Sequence, residues 1–210
     1  MYSFDMPTQL LPIHEPGALT TAAELLRRGG VVAFPTDTVY GVGAMAFDEN
    51  AVEMLYEVKQ RSIEKAIPIL IGDLSQLKQV ALDVTATAEK LARRFWPGPL
   101  TMVLPRHPSI PDIVTPLPTV GVRIPNLART QELLRLTGPL AVTSANLSGQ
   151  ASPSTAHDVE AQLGGRIPLI LDGGATPGGT PSTVLDCTKD PPVILREGPI
   201  PLDEILKTLG

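Results

Sequence analysis

Lys59 and Arg61 stand two residues apart in the stretch VKQRS, and two cations at that spacing can serve one anion only where the chain is not helical. On a helix, positions i and i+2 point about 200° apart, whereas on an extended chain they share a face. A helical apolar pattern runs into the pair from residue 50, so the helix must stop near Lys59 for both cations to meet phosphate or carboxylate oxygens. Lysine would then offer a point charge and arginine a planar fork. Read alone, the pair is better taken as two solvated surface cations. The same spacing recurs in TSANLSG, where Ser144, Asn146 and Ser148 follow a strand-like run. They would line up at its carboxyl end, where open α/β sheets hold their ligands. Hydroxyl and amide groups there suit a ribose, a base edge or a phosphate, although an ordinary turn uses the same residues. Ser182 and Thr183 mark a loop-to-strand junction in PSTV, and Arg196 closes a strand-like run in ILREG. Arg123 lies within VGVRIP, where an unpaired charge is costly, so a carboxylate or a ligand must face it.

Other chemistries find no support. GVGAMA at 41–46 has the outline of a dinucleotide fingerprint, but it lies six residues beyond the nearest strand-like run, and Arg61 stands where the ribose-binding acid belongs. No phosphate-binding G-x-x-x-x-G-K-[ST] loop and no G-x-S-x-G nucleophile elbow is present. His14, His107 and His157 lack ligand spacing, and a single cysteine cannot build a zinc site, so no protein-held metal is expected. Cys187 lies in an apolar strand pattern and reads as an inert thiol.

The elements that must position these groups are short apolar runs alternating with helical patterns. Strands are expected at 31–34, 67–71, 101–104, 120–124, 140–143, 168–171, 182–187 and 193–196. Helices are expected at 21–28, 50–59, 85–95, 128–136, 157–163 and 202–209, with Asp48 and Thr85 as N-caps and Gly29–Gly30 as a stop. Runs this short suit a sheet covered on both faces. Their uneven spacing predicts a mixed rather than purely parallel sheet, within one α/β domain spanning 1–210. The segment DGGATPGGTPST at 172–183 reads as a long loop, either functional or a tolerated insertion.

Charge narrows the partners. The net charge of −5 argues against indiscriminate nucleic-acid binding, yet residues 50–135 hold 11 Lys/Arg against 8 Asp/Glu. An anion site should therefore draw on the middle of the chain. No basic residue precedes Arg27, and the longest uncharged run, Leu136 to Ala156, is too polar to span a membrane. A cytoplasmic location without membrane association is the expectation.

Taken in order, GGVVAFPTDTVYGVG, KQRSIEKAIPIL, FWPGPLTMVL, VGVRIP, TSANLSG, STVLD and ILREG resemble the YrdC-type (TsaC) threonylcarbamoyl-AMP synthases from Gly29 to Gly198. Ser62 and Ala66 stand where the family often has proline. The resemblance implies a twisted mixed open sheet with helices on both faces and a large concave cationic cleft, in the short single-domain form. It implies that L-threonine, bicarbonate or carbon dioxide, and ATP with Mg²⁺ give threonylcarbamoyl-AMP and pyrophosphate. The product would pass to a tRNA threonylcarbamoyl transferase complex, with weak tRNA binding possible. It also implies a catalytic core of Lys59 and Arg61. Nucleotide contacts would come from Lys59, Arg123, Ser144, Asn146 and Arg196, and threonine contacts from Thr36, Tyr40, Arg61, Lys65 and Ser182. The rival readings are an RNA or tRNA binding module and the carbamoyl-adenylate chemistry of hydrogenase maturation. A carbamate is short-lived in water, so closure of the 172–183 loop over the intermediate is a further expectation.

Overall fold

The computed structural model describes residues 7–210. In chain order these form β1 (Gln9–Pro12), α1 (Ala18–Arg27), β2 (Val32–Phe34), β3 (Gly41–Met45), α2 (Glu49–Lys59) and β4 (Ile69–Leu70). A single 3-10 turn at Leu74–Gln76 leads into the short α3 (Leu77–Val80), followed by α4 (Ala86–Phe95), β5 (Leu100–Pro105), β6 (Thr119–Arg123) and α5 (Ala128–Thr137). The chain continues through β7 (Leu140–Ser144), α6 (Ala156–Leu163), β8 (Leu169–Asp172), β9 (Thr183–Asp186), β10 (Val193–Arg196) and α7 (Leu202–Leu209). All these strands join one mixed sheet in the order β1-β8-β2-β3-β7-β4-β6-β5-β9-β10.

The expected caps explain where the helices begin and end. The Asp48 carboxylate accepts from the backbone N–H groups of Asn50 and Ala51 at 3.1 Å each, and the Thr85 hydroxyl accepts from Ala88 N at 3.2 Å. Gly29 stops α1 in a left-handed conformation (φ 83°), with Gly30 N donating to the Leu25 carbonyl at 3.0 Å. Gln60 ends α2 the same way (φ 52°), so Lys59 is the last helical residue and Arg61 lies beyond the helix, as the K-x-R spacing requires.

Three elements lie outside the sequence expectation: β1, α3 and β3. β3 is the informative one, because its glycines are poor strand formers in isolation. They are required by the packing: a Cβ at Gly41 would lie 2.8 Å from Val142 Cγ1, and one at Gly43 3.0 Å from Val142 Cγ2. The stretch with the outline of a dinucleotide fingerprint is a strand packed closely against the Val142 side chain of its neighbour β7.

Alternation along the strands divides the interior into two layers. Ala33, Val42, Ala141, Met102, Val122 and Leu185 point to one face, where α2, α4, α6 and α7 pack on them. Val32, Phe34, Val142 and Leu171 point to the other, which α1 and α5 cover through Ala22, Leu26, Leu133 and Leu134. These two helices cover the β1, β8, β2, β3, β7 part of the sheet. Over β6, β5 and β9 the same face presents Thr101, Thr119, Gly121, Arg123, Val184 and Asp186 to a cavity. No helix among the described residues is long and apolar enough to cross a membrane.

Candidate active site

The cavity over the uncovered half of the sheet has a volume of about 570 Å³, within the range of small-molecule sites. Its wall includes Thr36 and Tyr40 from the β2–β3 connection, Arg61 after α2, Arg123 from β6, Ser144 from β7, Ser182 before β9 and Arg196 from β10. Seven of the residues named from sequence thus meet at one site, although they come from six parts of the chain. Lys59, Lys65 and Asn146 are not among the lining residues.

Lys59 lies beneath the wall, 1% exposed. Its ammonium donates to the Ser144 carbonyl and, at 2.5 Å, to that of Asn146, while Ser148 N donates back to the Lys59 carbonyl at 2.9 Å. These bonds fasten the end of α2 to the turn after β7. Burial, with a smaller contribution from the Arg61 charge, pushes the ammonium down to about 7. The two carbonyls act in the opposite sense, since they favour the charged donor.

That turn departs from the extended alternation expected for Ser144, Asn146 and Ser148. β7 ends at Ser144 and the chain bends at once, so Asn146 turns inward. Its amide donates to the carbonyls of Leu147 (2.7 Å) and Gln150 (2.9 Å), leaving Oδ1 buried without a partner. Such an orphaned acceptor is uncommon and calls for a donor.

Arg61 folds over its own loop, with Nη2 donating to the carbonyls of Lys65 (3.3 Å) and Ala66 (3.1 Å). The hydroxyl of Tyr56 also donates to the Lys65 carbonyl, at 2.9 Å. These bonds tie the 61–66 loop to itself and to α2. Lys65 itself is exposed.

Arg123 has the carboxylate its position demands. Nη2 meets Asp37 Oδ1 at 2.6 Å, Nη1 donates to Thr38 Oγ1 at 3.0 Å, and Nε donates to the Gly98 carbonyl at 2.9 Å. Asp37 also accepts from Asn126 N at 2.9 Å. Thr36 fixes the same turn, donating to the Val39 carbonyl at 2.7 Å and accepting from Thr38 N at 3.1 Å. On the far wall, Ser182 Oγ pairs with Thr101 Oγ1 at 2.8 Å, and Arg196 Nη2 donates to the Ser182 carbonyl at 2.8 Å.

Tyr40 lies at the wall, but it is fully buried and packs in the core layer on the other face of the sheet, where its hydroxyl is engaged. It donates to the Gly174 carbonyl at 2.8 Å and accepts from Gly173 N at 3.1 Å. Burial pushes this phenol up to about 12. The 173–182 loop therefore starts at Tyr40, then lies on the β2–β3 connection, where Gly179 N donates to the Thr38 carbonyl at 2.8 Å. Cys187 is buried, and burial with the neighbouring Asp186 charge pushes its thiol up to about 12, which fits an inert side chain.

Sequence reasoning missed Thr38, Thr101, Thr119, Ser152 and Asp186, all of which line the cavity. For Thr119 a signal existed: reading back from Arg123 in steps of two gives Gly121 and Thr119, the same strand face. No comparable pattern marks Ser152, which reaches the wall from an irregular segment.

The model of the Sua5_yciO_yrdC family, described as Telomere recombination, matches residues 24–198. The chain is 46% identical over 198 residues to a threonylcarbamoyl-AMP synthase of Pyrococcus abyssi, an alignment covering 93% of this chain and 58% of that protein. It is 43% identical over 206 residues to a threonylcarbamoyl-AMP synthase of Bacillus subtilis, covering 97% and 59%. A crystal structure of P. abyssi Sua5 complexed with L-threonine superposes with a TM-score of 0.93 at 45% identity, over 97% of this chain and 61% of that one. The chain thus spans about three-fifths of the length of these relatives. With the family model matched over most of its length and relatives this similar, the chain belongs to the Sua5/YciO/YrdC family.

Proposed function

We propose that this chain joins L-threonine, bicarbonate or carbon dioxide, and ATP into threonylcarbamoyl-AMP with release of pyrophosphate. The observation that carries the reading is the convergence of Arg61, Arg123 and Arg196 with Ser144 and Ser182 on one cavity, where among the described residues the carboxylates are Asp186 on the wall and Asp37 paired to Arg123. An excess of guanidinium over carboxylate suits a site for two anions, a triphosphate and an amino-acid carboxylate. The threonylcarbamoyl-AMP synthases named among the relatives, and the L-threonine held by one of them, support the same substrates. We assign the activity to the group-transfer class of nucleotidyltransferases and place it in the cytoplasm. Its product would go to a transferase complex that modifies tRNA, with weak direct tRNA contact.

In this scheme the threonine nitrogen bonds to carbon dioxide and releases a proton, giving a carbamate. A carbamate oxygen then attacks the α-phosphorus as the bond to pyrophosphate breaks. Such a displacement needs alignment and charge neutralisation more than a strong protein base. Arg61 would bind the carboxylate or carbamate together with the phosphates, and Arg123, Arg196 and Ser144 would orient the nucleotide. Thr36, Tyr40 and Ser182 would form the amino-acid end, with Lys65 at its edge. Lys59 and Asn146 would act from behind the wall, Lys59 by holding the turn that carries Ser144.

No group of three or more His, Cys, Asp or Glu among the described residues is placed to hold a metal ion. Magnesium would arrive on the ATP phosphates and keep its waters. When bound, that ion would neutralise charge on the leaving pyrophosphate.

The reading is tested by incubating the protein with ATP, magnesium, labelled bicarbonate and single amino acids, and measuring pyrophosphate and labelled adenylate. Threonine should give product, and Arg61→Ala should lower kcat/KM by about a hundredfold. Wild-type turnover by Arg61→Ala would remove Arg61 from the reaction, and no product with any amino acid would overturn the proposed activity.

A further inference from the structure

Asp37 takes no part in the reaction proposed above, yet its side chain is only 11% exposed and its Oδ1 is shared between Arg123 Nη2 at 2.6 Å and Asn126 N at 2.9 Å. Its partner Arg123 is 6% exposed in the side chain. The pair also crosses the sheet. Asp37 belongs to the β2–β3 connection and Arg123 to β6, and three strands, β3, β7 and β4, lie between β2 and β6 in the sheet order. The contact therefore spans the concave face and ties the wall that carries Thr36 and Tyr40 to the floor.

A guanidinium has five N–H groups. Here Nε is committed to the Gly98 carbonyl, one N–H of Nη1 to Thr38 Oγ1 and one of Nη2 to Asp37. One N–H on each terminal nitrogen remains, on a side chain that lines the cavity. Three bonds to the protein fix the plane of the guanidinium, so each remaining donor can be aimed as a charge-assisted hydrogen bond at an oxyanion. The positive charge of Arg196 acts on Arg123 from the same cavity, and the Asp37 carboxylate in direct contact with Arg123 opposes that repulsion.

We propose that Asp37 is a positioning residue that fixes the guanidinium plane of Arg123 so that its remaining N–H groups are presented to an oxyanion of the substrate. The inference rests on the proposed function for the identity of that oxyanion, a phosphate of ATP or the carboxylate of threonine.

The test is binding of ATP and of L-threonine, each measured alone by calorimetry, to wild type, Asp37→Asn, Arg123→Lys and the double variant. Asparagine keeps the oxygen that Asn126 N needs but removes the charge that holds the guanidinium plane. Asp37→Asn should weaken one of the two ligands by about tenfold, and the ligand affected identifies the oxyanion. Arg123→Lys keeps the charge and loses the guanidinium, so adding Asp37→Asn to it should change affinity little further. Independent, multiplying losses would overturn the proposal, as would wild-type affinity for both ligands in Asp37→Asn. Should Asp37→Asn not fold, Asp37→Glu retains the ion pair while displacing the guanidinium, and unaltered affinity for both ligands would overturn the proposal equally. A wild type that binds ATP and threonine but makes no adenylate would overturn the proposed reaction and leave this comparison of affinities standing.

Discussion

Burial sets the charge of Lys59, and that charge is readable in a binding experiment. In the free protein its ammonium, pushed down to about 7, is charged below that pH and neutral above it. A polyanion beside the Ser144–Asn146 turn favours the charged form, so at pH 8 ATP binding should take up a proton. Affinity should then weaken as pH rises above about 7, by at most tenfold per unit. Binding heats measured in buffers of different ionisation enthalpy report the uptake directly, and Lys59→Met should abolish it. Identical heats in every buffer would show that Lys59 keeps its proton throughout. The sequence placed Lys59 at the site, but not in this role. Its spacing to Arg61 says where the helix stops, whereas its position beneath the wall depends on two carbonyls some 85 residues away in the chain. Arg123 was more legible, because a cation inside an apolar strand pattern requires a partner. That the partner would be Asp37 could not be read, since the sheet order that brings them together is a long-range property.

Elements with their own punctuation were legible, and those shaped by a neighbour were not. α2 and α4 could be placed because Asp48 and Thr85 cap them locally. β3 escaped because the reason for its glycines lies in Val142 of β7. The 173–182 loop likewise depends on a neighbour, because Gly178 is packed against the β2–β3 connection. A Cβ there would come 2.8 Å from the Asp37 carbonyl oxygen and 3.0 Å from Thr38 Cα. Backbone atoms cannot give way as a flexible side chain can. Gly178→Ala should therefore lift the loop and expose it to protease several-fold faster, with little change in helix content by circular dichroism. If the loop serves to exclude water from a carbamate, the variant should also release more pyrophosphate per threonylcarbamoyl-AMP formed. Unchanged cleavage in Gly178→Ala would mean that the contact does not hold the loop down.

At the scale of the whole molecule, α1 and α5 cover only part of one sheet face, and the remainder forms the floor of the cavity. The walls come from opposite parts of the sheet, with Thr36, Tyr40 and Ser144 on one side and Ser182 and Arg196 on the other. A ligand that touches both walls must stabilise the fold as a unit, because it is lost whenever either part opens. At a hundred times its Kd a ligand that binds only the folded state adds about 2.7 kcal/mol. For a chain of this size that corresponds to a rise in Tm of roughly 5–10 °C. ATP and threonine together should exceed either alone, and amide hydrogen exchange should slow in the 36–40 connection, the 61–66 loop and β10 at once. Protection confined to one wall would mean that the two ligands do not share the cavity, and the proposed attack of the carbamate oxygen on the α-phosphorus would fail with it.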